Sequence, residues 1–300
     1  MRRLKAVLLA AYVVSGLIVG GDPSPAGADP GSGARYGANP AAGRTFTHDG
    51  VELYYEVYGA GSPLLLIHGN GSSIGSLAAQ IDHFRPHYRV VAMDSRDQGR
   101  SGDSRDEITY EKMTDDLAAL LDHLKTGPVD VLGWSDGGIE ALLLGIRHPG
   151  KVKKIAAMAA NLNPGEDALR PEFFTLVRSL VDVAPAPEKE TPQSRRELKV
   201  ARMMLAHPHI DARALEAITA PTLVLAGDRD IVRDEHTLEI YRRVPNGALC
   251  IFPNATHFVP FDDPALFNAT VERFFREPFV RKDRIEDLLK SWEALKKSLE

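Results

Sequence analysis

The chain has 300 residues, of which 44% are hydrophobic, so it can form one large α/β domain with an insertion and bury a sizeable core. The chain has 36 lysine and arginine residues and 41 aspartate and glutamate residues, which gives a net charge of −5. It has no block of basic residues of the kind that would indicate a nucleic-acid partner. The single cysteine, Cys250, excludes an internal disulfide and lies in an apolar run typical of a buried strand.

The first 28 residues have the order of a secretory signal. Three basic residues near the start precede an apolar run over residues 6–20, and Ala26-Gly27-Ala28 offers a small-residue cleavage site. The apolar run is short for a transmembrane helix. We therefore predict export to the periplasm or the extracellular space, with no stable membrane span in the mature form. The alternative is a chain tethered to the membrane by an uncleaved signal.

A lead-in rich in proline, glycine and alanine follows over residues 29–43 and is expected to be flexible. Residues 44–162 then form the first part of the predicted core. Asp49-Gly50 predicts a hairpin, and the apolar spacing over 110–125 predicts an amphipathic helix. We predict further strands at four apolar runs, over residues 63–67, 89–93, 129–132 and 152–158.

The alternation of strands and helices stops between residues 163 and 219. This segment has no strand pattern and two helical patterns, over 172–182 and 191–207, so we predict a small helical lid inserted into the core. Alternation resumes over residues 220–276, the second part of the core. The whole pattern predicts an α/β fold with a mostly parallel, doubly wound sheet and an active site at the carboxyl ends of its strands.

An amphipathic helix is predicted over residues 277–300. Its apolar stripe consists of Ile285, Leu288, Leu289, Trp292, Leu295 and Leu299. Basic and acidic residues nearly balance in this segment, which argues against a polybasic membrane anchor. We predict that the helix packs on the parent domain, with a homodimer contact as the alternative.

The stretch VDVLGWSDGG, residues 129–138, places a G-x-S-x-G motif between a predicted strand and a predicted helix. Gly133 and Gly137 give the room that so tight a turn needs. The turn presents Ser135 at a helix N-terminus, where developing negative charge is favoured. Ser135 is therefore the candidate nucleophile, and the alternative is that it only caps the helix.

A serine hydroxyl needs a base to accept its proton, and the base needs an anionic partner. His257 is the candidate base because it alone among the histidines follows a late strand in a loop, in the order Ser, acid, His. Asp228 and Asp230 compete for the acid. Asp230 is preferred because Asp228 lies close to the strand end, where an aspartate commonly caps a turn.

The oxyanion hole should combine the backbone N–H of Asp136, the residue after the nucleophile, with one from the loop after strand 63–67. That loop reads HGNG, so its backbone can approach a substrate closely, and Asn70 is the second predicted donor. His68 is expected to be structural and to tie the loop down.

Taken together, HGNG, DSRDQGRS, GWSDGG, GDRD and NATHF resemble the motifs of the α/β-hydrolase superfamily in its serine-nucleophile branch, over residues 45–275. GWSDGG is more similar to valacyclovir-hydrolase-like esterases than to proline iminopeptidases. The resemblance implies the α/β-hydrolase fold, a triad of Ser135, Asp230 and His257, and oxyanion donors at Asn70 and Asp136. Asp97 stands where the family usually has glycine, and we expect a tolerated left-handed turn there.

The leading prediction is a serine hydrolase that cleaves a carboxylic ester or related small acyl substrate through an acyl-enzyme, with no cofactor and no metal. The candidate pocket residues are Trp134, Phe173, Phe174 and Phe258, although the two lid phenylalanines could simply be lid core. The same triad would serve C–C hydrolysis, amide hydrolysis or cofactor-free perhydrolysis. A ligand-binding protein on a hydrolase scaffold is disfavoured, since a binder has no physical need for all three triad residues.

Overall fold

The structure is a computed structural model that describes residues 36–184, 189–280 and 284–299. The predicted signal at residues 1–28 lies outside the described residues, so export stays a prediction. Residues 29–35 of the lead-in also lie outside them. No helix in the described ranges is long and apolar enough to cross a membrane.

Eight strands of the described chain form one sheet, in the order β1-β2-β4-β3-β5-β6-β7-β8. They are β1 Gly43–His48, β2 Val51–Tyr58, β3 Ser62–Ile67, β4 Tyr88–Met93, β5 Val129–Trp134, β6 Val152–Met158, β7 Thr222–Arg229 and β8 Gly247–Thr256. Strand β2 pairs antiparallel with both β1 and β4, and every other pairing is parallel. The predicted α/β class, with a mostly parallel sheet, is confirmed.

The hairpin between β1 and β2 turns at Asp49-Gly50, as predicted. Both residues have positive φ, 47° and 71°, which is the backbone that a two-residue hairpin turn of type I′ requires. Aspartate tolerates this left-handed conformation and glycine adopts it without a steric penalty. The dipeptide therefore fixes the register of the two strands that begin the sheet.

Helices cover both faces of the sheet. The α-helices of the described chain are α1 Ala78–Phe84, α2 Tyr110–His123, α3 Asp136–Arg147, α4 Pro171–Asp182, α5 Pro192–Ala206, α6 Asp234–Arg243, α7 Val259–Asp262, α8 Pro264–Arg276 and α9 Arg284–Leu299. Side-chain caps fix where several begin. Thr109 accepts a hydrogen bond from the Lys112 N–H at the start of α2, and Asp263 accepts one from the Leu266 N–H at the start of α8.

The central strands are buried on both faces, which explains why they read as continuous apolar runs. In β3, Leu65 and Ile67 pack into one hydrophobic cluster, whereas Leu64 and Leu66 pack into the other. Successive side chains of a strand point to opposite faces. A strand covered on both sides must therefore be apolar at every position, and its carboxyl end is held rigidly between two packed layers.

Helices α4 and α5 follow β6 and precede β7, where the sequence predicts a lid. Their bounds lie within two residues of the predicted helices. Thr191 and Ser194 form a reciprocal capping box that starts α5. The limits of the lid at residues 163 and 219 stay predictions, as do the other domain boundaries.

The C-terminal helix α9 is present, but the prediction that it packs on the parent domain is wrong. All six residues of its apolar stripe are between 50% and 79% exposed. Elsewhere in the described chain, the exposed large apolar side chains are few and scattered: Leu176, Val183, Leu266 and Val280. Among the residues that the structure describes, the body thus offers no continuous apolar surface for the stripe to cover. A homodimer contact through α9 stays a prediction.

Candidate active site

Ser135 lies at the turn from β5 into α3, at the carboxyl end of the sheet. Its φ of 58° and ψ of −118° are strained for a residue with a side chain, at a cost of roughly 1–3 kcal/mol. A Cβ on Gly133 would overlap the Gly137 carbonyl, and one on Gly137 would overlap the Ile67 carbonyl. The two motif glycines are therefore required by close backbone contacts, and the Ser135 N–H donates to the Met158 carbonyl at 2.8 Å.

Three predicted site residues meet in one hydrogen-bonded series. Asp230 Oδ1 lies 2.7 Å from His257 Nδ1, and His257 Nε2 lies 2.9 Å from Ser135 Oγ. A buried carboxylate can only accept, so Nδ1 carries the proton and Nε2 is left to accept the Ser135 hydroxyl proton. Asp230 is fully buried and His257 is 5% exposed, which shields this arrangement from water.

The two aspartates that compete for the acid have different surroundings. Asp230 accepts from the N–H of Val232 at 3.1 Å and of Gly227 at 3.3 Å in addition to its contact with His257. Asp228 is exposed and accepts from the N–H groups of Asn254 and Ala255, at 2.8 and 3.1 Å. Asp228 therefore holds the end of β8 in place, and Asp230 faces the histidine.

Trp134 holds the backbone of His257 in place, a role that the sequence did not predict. Its indole N–H donates to the His257 backbone carbonyl at 2.8 Å, and the two ring centroids are 5.4 Å apart. The side chain is only 4% exposed. A buried tryptophan N–H usually finds a partner, so a tryptophan directly before the serine was the available signal. Its predicted contact with substrate stays a prediction.

The other three predicted pocket residues are partly buried and pack against the same hydrophobic cluster as Trp134. Phe173 and Phe174 come from the lid helix α4, and Phe258 directly follows the histidine. The Phe258 ring centroid lies 6.0 Å from that of Trp134. The lid and the histidine loop therefore share one apolar layer, and the substrate roles of these phenylalanines stay predictions.

Trp134→Phe should lower kcat by about tenfold, because it leaves the buried His257 carbonyl without a donor and loosens the position of His257, the candidate base. The expected result is a kcat loss with KM changed less than twofold for p-nitrophenyl acetate. Trp292→Phe is the matched control, since Trp292 is exposed on α9. Equal kcat values for the two variants would contradict the supporting role of Trp134.

The loop after β3 packs directly on the turn between β5 and α3 that carries Ser135, which we call the elbow. A Cβ on Gly69 would lie 2.7 Å from the Trp134 ring and 3.2 Å from the Ser135 Cβ, so only glycine fits there. Gly71 at the far side of the loop donates its N–H to Gln98 Oε1 at 2.7 Å. Among the described residues, the backbone N–H groups of Asn70 and Asp136 have no hydrogen-bond partner. Both are therefore available to a ligand.

His68 holds this loop and does not reach Ser135. Its Nδ1–H donates to the Gly69 carbonyl at 2.8 Å, and its Nε2 accepts from the Ser95 N–H at 3.0 Å. Burial lowers the pKa of His68 to about 4, so the ring is neutral in the working range of most enzymes. These contacts fit the expected structural role.

Two further carboxyl groups, those of Asp136 and Glu140, lie on α3, the helix that follows Ser135. Burial raises the pKa of Asp136 to about 6, against the opposing effect of hydrogen bonds from Asn70 and Tyr110. Burial, followed by the charges of Asp136 and Asp116, raises the pKa of Glu140 well above its usual value. Neither oxygen of Glu140 has a hydrogen-bond partner in the described part of the chain.

The raised pKa of Glu140 predicts a pH-dependent stability. The native state keeps this proton at pH values where the unfolded chain has released it, so ionisation of the unfolded chain favours unfolding as pH rises. Relative to Glu140→Gln, the wild-type free energy of unfolding should fall by up to about 1.4 kcal/mol per pH unit above about pH 4.5, until the folded pKa is passed. Urea unfolding from pH 5 to 8 measures this difference, with the exposed Glu293→Gln as control. A constant difference would contradict it.

Asp97 has the predicted left-handed backbone, with φ of 62°, and it also contacts the lid. Its carboxylate accepts from Ser104 Oγ at 2.6 Å and from Lys199 Nζ at 3.0 Å. Lys199 lies on α5, where Arg196 pairs with Asp103 at 3.1 Å. The position that is usually glycine in the family therefore joins the loop after β4 to helix α5.

Within the described ranges, no group of three or more histidine, cysteine or carboxylate side chains is placed to hold a metal ion. A reaction without metal or cofactor stays a prediction.

Comparison with known proteins agrees with this architecture. A family model described as alpha/beta hydrolase fold matches residues 62–197. Serine hydrolase BPHL of Mus musculus is 26% identical over 254 residues, which cover 76% of this chain and 84% of that protein. The putative carbamate hydrolase RutD of Azorhizobium caulinodans is 32% identical over 111 residues, or 37% of this chain and 42% of that protein.

Solved structures give the same result over a longer span. Est816, described as an N-acyl homoserine lactone degrading enzyme, is 25% identical and superposes with a TM-score of 0.66. The match covers 77% of this chain and 100% of Est816. The structural match therefore extends over more of this chain than residues 62–197.

Proposed function

Because this chain belongs to the α/β-hydrolase superfamily, we propose that it is a serine hydrolase that cleaves a carboxylic ester or a related small acyl compound. The observation that carries the proposal is the series Asp230, His257 and Ser135, with contacts of 2.7 and 2.9 Å. Each of the three is held by a different loop at the carboxyl end of the sheet. Such an arrangement activates a serine hydroxyl, which is otherwise a poor nucleophile near neutral pH.

The geometry supports a two-step reaction. His257 Nε2 takes the Ser135 proton while Oγ attacks the substrate carbonyl carbon, and the resulting oxyanion accepts from the N–H groups of Asn70 and Asp136. The imidazolium then gives its proton to the leaving alcohol, and the acyl group stays on Ser135. Water, deprotonated by the same histidine, attacks the acyl-enzyme, and the imidazolium then returns that proton to Ser135 Oγ as the acid is released. Asp230 holds the tautomer and offsets the imidazolium charge.

The relatives support an acyl substrate. The name of RutD refers to carbamates and that of Est816 to a lactone, which is a cyclic ester. Both compounds have a carbonyl carbon bonded to a leaving oxygen or nitrogen. An ester or a chemically similar acyl compound is the class that these names and the triad geometry have in common.

The test is labelling with a fluorophosphonate probe, followed by peptide mapping, together with turnover of p-nitrophenyl esters of increasing acyl length. We expect one adduct, on Ser135, and measurable hydrolysis of at least one ester. Labelling without ester turnover would favour an amide, C–C bond or perhydrolysis reaction on the same serine. No adduct on folded protein would favour a ligand-binding protein on a hydrolase scaffold.

A further inference from the structure

The two proposed oxyanion donors are joined through their own side chains. Asn70 Nδ2 donates to Asp136 Oδ2 at 2.8 Å, and Tyr110 OH donates to Asp136 Oδ1 at 2.9 Å. Asp136 is 4% exposed and Tyr110 is 1% exposed. One carboxylate thus connects the loop after β3, the first residue of α3 and the first residue of α2.

We propose that Asn70, Asp136 and Tyr110 are positioning residues whose side chains fix the separation and direction of the two oxyanion-hole N–H groups. This inference rests on the serine hydrolase function proposed above. The backbone N–H groups come from segments 66 residues apart in the chain. No backbone hydrogen bond restrains either group among the described residues. The side-chain bond between Asn70 and Asp136 supplies a direct restraint.

We call the bonded side chains of Asn70, Asp136 and Tyr110 the clamp. The surrounding contacts restrain its remaining motions. Tyr110 holds the second carboxylate oxygen and so prevents rotation of the Asp136 side chain. The loop cannot slide because Gly69 is pressed against Trp134 and Gly71 is bonded to Gln98. An oxyanion hole works because its donors are placed before the charge develops, and these contacts provide such preorganisation.

Electrostatics also favour a geometric role for the carboxylate. Its charge has the same sign as the oxyanion, so Asp136 opposes the charge that develops next to it. Two donors and the N-terminus of α3 offset part of that charge. A carboxyl group at this position therefore contributes by holding Asn70 and Tyr110, and a neutral group with the same shape could do so as well.

The test compares variants that keep every backbone N–H. Asn70→Ala, Tyr110→Phe and Asp136→Ala should each lower kcat for p-nitrophenyl acetate by about tenfold, less than the 10²–10³ seen on loss of a whole donor. KM should change less than twofold. The Ki of phenylboronic acid, whose serine adduct places an oxygen in the oxyanion hole, should rise by the same factor as kcat falls. Asp136→Asn, which keeps the shape, should retain kcat within about threefold.

Two controls separate positioning from general stability. Tyr58→Phe removes an equally buried tyrosine–carboxylate bond, 2.8 Å to Glu56 on β2, and should leave kcat unchanged. The combined Asn70→Ala and Asp136→Ala variant should lose little more than either alone, because both break the same bond. Losses equal to that of Tyr58→Phe, or additive losses, would overturn the clamp.

Different results would refute the proposed clamp and the proposed serine hydrolase function. If wild-type protein neither reacts with the fluorophosphonate nor hydrolyses the ester, the proposed function fails and the clamp falls with it. If wild type is active and the three variants are equally active, only the clamp is refuted. The second-order rate of fluorophosphonate labelling provides this comparison for every variant, even when ester turnover is slow.

Discussion

Ser135→Ala should lower kcat for ester hydrolysis by about 10⁶, because the triad acts as a unit and the variant has no nucleophile for His257 to activate. The residual rate would come from the oxyanion donors and from binding alone. The measurement is a pre-steady-state and steady-state comparison on p-nitrophenyl acetate. It requires protein purified away from host esterases, since a contaminant at one part in 10⁵ would mask the effect.

Ser95→Ala is the matched control for this variant. Its hydroxyl is buried in the neighbouring loop and has no hydrogen-bond partner among the described residues. Its removal should leave kcat and KM within about twofold, since no bond is broken. A loss of less than tenfold in Ser135→Ala would exclude Ser135 as the nucleophile.

Asp230→Asn should lower kcat by about 10⁴, as an amide in place of the acid allows the wrong histidine tautomer. Asparagine can donate to Nδ1, which moves the proton to Nε2 and leaves no acceptor for the Ser135 hydroxyl. KM should change little, because the substrate does not touch this buried carboxylate. Steady-state kinetics on p-nitrophenyl acetate check the result.

Asp228→Asn separates the two competing aspartates. It replaces an exposed carboxylate that accepts from Asn254 and Ala255, so kcat should stay within about threefold. The reverse order, with Asp228→Asn the more damaging, would assign the acid to Asp228. Similar large losses in both variants would mean that the whole loop, and not one carboxylate, determines activity.

The sequence predicted well the features that local pattern determines. The strand, turn and helix around Ser135 follow from an apolar run, two glycines and helical spacing within ten residues. The continuous apolar runs likewise predicted strands that are buried on both faces of the sheet, because this pattern is also local. The preference for Asp230 over Asp228 rests on position in one loop and stays a prediction; the structure places Asp230 next to His257 and Asp228 next to the backbone of β8.

Contacts between distant segments were not predictable in this way. Trp134 meets the His257 carbonyl across 123 residues, and Lys199 meets Asp97 across 102. Periodicity indicates which face of an element is buried but not which side chain it meets. For the C-terminal helix α9, a long-range contact was predicted that the structure does not contain among the described residues. Its stripe correctly indicates an apolar face, but a stripe alone does not indicate whether the body has a surface to receive it.

The crowded glycines around the elbow determine where this protein can be altered. Gly69, Gly133 and Gly137 each lie where a single added carbon would strike backbone or a packed ring. Random mutagenesis there should return mostly inactive clones. The outer faces of α4 and α5 are exposed or half-buried at many positions. A library that seeks a new substrate range should therefore keep the elbow and the loop after β3 constant and place its diversity in the two lid helices.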